Sequence, residues 1–103
     1  MPTKNEAVIK VIVELQAKPG KRTELKDLLE NVAAKYGPDQ PGFLGSTRYE
    51  VLDNPNILVE IADWVSAELR AAAMQKAMVE GAYAPLEELL AAPFRATVIR
   101  QLP

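Results

Sequence analysis

The sequence predicts an α+β fold: a ferredoxin-like β-α-β-β-α-(α)-β chain whose antiparallel sheet carries its helices on one face. Three observations predict it. Residues 7–17 and 43–52 show apolar side chains at alternate positions, 94–102 does so weakly, and 57–64 is an apolar run returning after a turn, the marks of strands. The stretches between them show apolar spacings of three and four, the period of a helix. The chain has 103 residues, 49% of them apolar and 25% charged, which suits one small core and a single domain over 1–103.

Residues 1–6 read as a polar tail. In the first strand, 7–17, Ala7, Ile9, Val11, Val13 and Leu15 share one face, and Val8, Lys10, Ile12, Glu14 and Gln16 share the other. Lys18-Pro19-Gly20 breaks it. A helix at 21–36 follows, with Leu25, Leu28, Leu29, Val32 and Tyr36 on one stripe. Gly37 supplies its stop and Pro38 forbids continuation. In the strand at 43–52, Phe43, Gly45, Thr47, Tyr49 and Val51 oppose Leu44, Ser46, Arg48, Glu50 and Leu52. Asp53-Asn54-Pro55-Asn56 is turn chemistry, and 57–64 returns as the other half of a hairpin.

Ser66 is the expected N-cap of a helix at 67–80, with Glu68 favoured in its first turn. That helix is rich in Ala and Met, small or pliant side chains expected to let it lie close to the sheet. Gly81 ends it. A short helix at 84–91 accepts Pro85 in its first turn, Pro93 closes it, and 94–102 forms the last strand.

The strands are apolar on both faces: Ile12 beside Ile9, and Leu58 and Ala62 beside Ile57, Val59 and Ile61. That is too much apolar surface to leave wet over four strands. The expectation is a homodimer with the two sheets packed face to face.

Composition excludes several chemistries. The chain has no Cys and no His. Thiolate nucleophiles, disulfides, zinc–thiolate and iron–sulfur sites are excluded, as are the usual imidazole base and metal or haem ligand. The remaining donors suit hard cations, so neither haem nor a tightly held transition metal is expected. With 12 basic and 14 acidic residues there is no basic footprint for nucleic acid. No apolar run approaches the ~20 residues of a membrane span, and the polar N-terminus carries no signal-peptide core. A cytoplasmic protein is the simplest expectation. No GxSxG elbow, P-loop or GxGxxG motif is present.

The segment 58–64 is the most informative. Alternation places Leu58, Glu60, Ala62 and Trp64 on one face. A carboxylate in an apolar strand beside the single Trp can wall a pocket, where burial raises its pKa and makes it a base. The alternative is an ion pair of Glu60 with Lys10, Arg48 or Arg100, which lowers that pKa, and a purely packing role for Trp64. Arg70 can hold an anionic oxygen or be a solvated helix side chain. Met74 and Met78 can line an adaptable cavity or belong to plain core. Tyr36, Tyr49 and Tyr83 are candidate phenol donors.

These residues sit in a pattern that resembles a known family. Lys18-Pro19-Gly20-Lys21, Pro41-Gly42-Phe43-Leu44-Gly45, the run from Val59-Glu60 to Trp64-Val65-Ser66, and the closing helix at 83–90 together resemble the antibiotic biosynthesis monooxygenase family over about 8–102. The resemblance implies a dimeric α+β barrel with a pocket between sheet and helices in each subunit. Members that act on aromatic polyketides oxidise phenols to quinones with dioxygen and no metal, flavin or other cofactor. Their Trp at the exit of the third strand matches Trp64, their pocket Asn falls on Glu60, and a pocket Tyr on the next helix falls on Arg70. A haem-degrading member would carry a His on that helix; around Ala73 and Met74 there is none.

The function expected is therefore a cofactor-independent monooxygenase acting on a phenolic or quinol-type aromatic. Trp64 would wall the pocket, Glu60 serve as base, Arg70 stabilise an anion, and Met74, Met78, Tyr49 and Tyr83 contact substrate. The alternatives are a non-catalytic dimeric module that binds a small hydrophobic metabolite, and an isomerase using Glu60 as proton shuttle.

Overall fold

The computed structural model describes residues 8–36 and 40–102. The tail expected at 1–6, the helix stop at Gly37 and Pro38, and the side chain of Tyr36 lie outside the described residues. The elements follow the order β1 (Ile9–Gln16), α1 (Arg22–Tyr36), β2 (Phe43–Glu50), β3 (Ile57–Trp64), α2 (Ala67–Val79), α3 (Ala84–Glu88) and β4 (Arg95–Arg100). The strands form a four-stranded sheet in the order β2-β3-β1-β4, every pairing antiparallel. This is the ferredoxin-like α+β arrangement. Among the described residues no helix is long and apolar enough to cross a membrane.

Local chemistry accounts for each element. In β1, Ile9, Val11 and Leu15 are buried while Lys10 and Glu14 face outward. The chain turns at Lys18–Lys21 through a hydrogen bond from the Lys21 amide to the Lys18 carbonyl, 2.9 Å, with Gly20 at φ 80°, a left-handed position that suits glycine. In α1, Leu25 and Leu29 are buried one turn apart and dock the helix on β1 and β3. Ser66 caps α2 as expected, its Oγ accepting from the Leu69 amide at 3.2 Å. The short α3 stops at Glu88, before the expected 91, because the chain there joins the end of β1. The Lys18 amide donates to the Leu89 carbonyl at 2.9 Å and the Ala91 amide to the Gln16 carbonyl at 2.8 Å.

Two further expectations need correction. The strict alternation expected along 43–52 is interrupted by a bulge between Phe43 and Gly45. Phe43 therefore pairs with Trp64, while Ser46, Arg48 and Glu50 pair with Ala62, Glu60 and Leu58. Phe43 joins the helix-side face of the sheet, and Gly45, Thr47 and Tyr49 take the open face. An extra residue at a bulge reverses the facing of everything beyond it. The second correction concerns α2. Its small side chains do not bring it down tightly, since none of its residues is buried. They leave a gap beneath the helix instead.

The core is correspondingly split. One buried cluster joins Leu15, Leu25, Leu29 and Leu58 with Leu86 and Leu90 of the α3 region. The other joins Ile9, Val11, Ala62 and Trp64. Val13 packs against both.

Candidate functional site

A cavity of about 140 Å³ lies between these clusters, under α2 and beside α3. Its lining draws Leu15, Leu29 and Leu86 from one cluster and Val11, Ala62 and Trp64 from the other. Most of its wall is hydrocarbon. The ionisable or hydroxyl-bearing side chains on it are Glu60, Arg70 and Tyr83.

Strand alternation places Glu60 here, since β3 directs Leu58, Glu60, Ala62 and Trp64 to the helix side opposite Leu15, Val13, Val11 and Ile9 of β1. Its carboxylate also meets Arg48 on β2, whose Nη1 lies 3.7 Å from Oε2, with 22% of the Glu60 side chain exposed. The ion pair and the pocket position, treated above as alternatives, coexist. Loss of hydration raises the Glu60 pKa above the ordinary carboxyl value, and the Arg48 guanidinium pulls it only partly back. Of the other expected partners, Lys10 pairs with Asp63 at 2.6 Å, and Arg100 lies across from Ile9 at the far side of β1.

Trp64 is buried at the end of β3 and stands edge-on to Phe43, ring centroids 5.2 Å apart at 66°, an arrangement that favours aromatic quadrupoles. Both rings line the cavity. Arg70, one turn into α2, is half-buried and lines the same space. Among the described residues it has no ion-pair partner. A half-buried guanidinium without a counter-ion is a ready anion site. Its charge is felt by Tyr83, whose hydroxyl pKa is raised first by burial, then lowered by Arg70 and raised by Glu60. The Tyr83 hydroxyl donates to the Met74 sulfur at 3.1 Å, which holds both side chains against the cavity.

The structure thus brings together Glu60, Trp64, Arg70, Met74 and Tyr83. It does not bring Met78 or Tyr49 to them. Met78 is 67% exposed on the outer turn of α2. Tyr49 is 49% exposed and pairs with Val59 on the opposite face of the sheet. Sequence reasoning passed over Phe43 and Phe94, which both line the cavity. Phe43 was hidden by the bulge. Phe94 had a weak signal, an aromatic just after Pro93 at an element boundary.

The arrangement offers a carboxylate with raised proton affinity, a guanidinium for a developing anion, and aromatic walls for a ring. Among the described residues no three acidic side chains converge to hold a metal ion.

Comparison with solved structures gives the same fold. A conserved protein from Methanosarcina mazei Go1 superposes with a TM-score of 0.84 at 20% identity, over 96% of this chain and 97% of that one. The cofactor-independent oxygenase SnoaB from Streptomyces nogalater, in an asparagine-to-alanine variant, gives 0.80 at 19% identity, over 92% and 93%. A Mycobacterium tuberculosis protein gives 0.80 at 23% identity, over 94% and 97%. At these identities the likeness is one of fold. No curated protein matches the chain. The sequence profile described as antibiotic biosynthesis monooxygenase matches residues 8–83. With the match covering most of the described chain, this protein belongs to the antibiotic biosynthesis monooxygenase family.

Proposed function

We propose that the protein is a cofactor-independent monooxygenase that oxidises a phenolic or quinol-type aromatic with dioxygen. The observation that carries this reading is the convergence of Glu60, Arg70 and Trp64 on one apolar cavity, with the Glu60 carboxyl raised in proton affinity by burial. SnoaB, a cofactor-independent oxygenase of the same fold, supports it by analogy.

The chemistry follows from the residues. The ring lies against Trp64 and Phe43, and its hydroxyl faces Glu60. Glu60 accepts the phenolic proton, and Arg70 stabilises the phenolate that results. The electron-rich anion transfers an electron to dioxygen, and the radical pair recombines at a ring carbon to form a carbon–oxygen bond. Loss of the hydrogen on that carbon with cleavage of the oxygen–oxygen bond leaves a quinone carbonyl and water. The substrate gives up four electrons, and dioxygen accepts them, one oxygen entering product and one entering water. The substrate itself is the reductant, so no flavin or metal is called for.

The reading includes a homodimer. The open face of the sheet carries Ile12, Ile57, Val59 and Ile61, each half-exposed in the single chain, and a second copy of the same face suits them. Oxygen consumption with a quinol, followed at an electrode, tests the function. Glu60→Gln keeps the shape and removes the base, and it is expected to lower the rate by about a hundredfold or more with folding intact. Tight binding of aromatics without oxygen uptake would instead make the protein a binding module.

A further inference from the structure

We propose that Phe94 sets the size limit of this site and holds it to an aromatic substrate of a single ring. The inference rests on the reading of the cavity as an aromatic oxidation site.

The volume comes first. At about 140 Å³ the cavity is close to the roughly 150 Å³ apolar cavity that takes up one benzene molecule. A fused second ring would crowd a space of this size. Beside it lies a separate open groove of about 600 Å³, lined by Glu87, Leu90, Ala91, Ala92, Pro93 and Phe94. Phe94 is the one residue common to both linings, so its ring is the partition.

The partition is held in place. Pro93 fixes the backbone just before Phe94, and Arg95 begins β4 immediately after it. The Phe94 ring packs on Tyr83 with centroids 5.9 Å apart at 52°, and Tyr83 is itself tied to Met74. Its neighbours on the groove side, Ala91 and Ala92, are too small to close the gap in its place. Shortening Phe94 joins the cavity to the groove, and the added space opens beside Tyr83.

Calorimetric titration under nitrogen reads binding without turnover. Hydroquinone and naphthohydroquinone are titrated into the wild-type protein, Phe94→Leu and the more drastic Phe94→Ala, with thermal melts to verify folding. The wild type is expected to bind hydroquinone and to bind the two-ring quinol about tenfold or more weakly. Phe94→Leu is expected to remove most of that difference by tightening the two-ring quinol. Equal or tighter binding of naphthohydroquinone to the wild type overturns the size limit while leaving the oxidation reading in place. A folded Phe94→Leu protein with the wild-type preference overturns Phe94 as its source. Failure of the wild type to bind either quinol overturns both the inference and the functional reading beneath it.

Discussion

Two opposing influences act on the Glu60 carboxyl: burial in an apolar cavity and a guanidinium 3.7 Å away. Burial prevails, so native Glu60 holds its proton to higher pH than the unfolded chain does. The native state then binds more protons within the window between the two pKa values. Stability falls as pH rises through that window and is flat above it. Glu60→Gln has no such titration. Its urea midpoint, taken relative to wild type, is expected to rise from the acid side of the window to neutral pH. A relative fall would mean that the Arg48 pair outweighs desolvation. At this scale the sequence was legible wherever alternation alone positions a side chain, as for Glu60 and Trp64. It was not legible where the outcome depends on a neighbouring strand: three cations were equally plausible partners for Glu60, and only the β2 register selects Arg48. Residue type alone suggests Tyr49 for the site, but its facing follows from the bulge between Phe43 and Gly45 and its pairing with Val59.

Among the elements, α2 is the one on which the site most depends. It carries Arg70 and Met74, yet it buries none of its own residues, so tertiary packing holds it weakly and its cap matters more than usual. Ser66→Ala removes the hydrogen bond to the Leu69 amide and is expected to cost about 1 kcal/mol, measured by urea unfolding. It is also expected to weaken aromatic binding through loosening of Arg70. No change in either quantity would show that α2 is held by something other than its cap. The helix was legible from Ser66, Glu68 and Gly81, and its ends fell within a residue of expectation. Its distance from the sheet was not legible, because Ala and Met spacing fits both close packing and a gap. Met78 shows the consequence: it lies one turn beyond Met74, yet it is exposed where Met74 is half-buried.

For the whole molecule, the ferredoxin-like class and the two-sided apolar pattern were both readable, since four strand-like segments joined by one hairpin and two helical connections leave few topologies. A second copy over the open face is expected to give a solution mass of about twice the 11.3 kDa chain by light scattering. Ile61→Asp, which places a charge opposite Ile12 and Thr47 on that face, is expected to give monomer at micromolar concentration. A wild-type monomer would contradict the face-to-face arrangement. The cavity lies on the other side of the sheet, so its chemistry is tested separately. The most direct test is turnover of a quinol or phenol under isotopically heavy dioxygen by metal-free, flavin-free protein, with mass spectrometry of the product. Cofactor-independent monooxygenation predicts one heavy oxygen in the quinone and its loss in Glu60→Gln. An unlabelled quinone, or turnover only after metal or flavin is added, would contradict it.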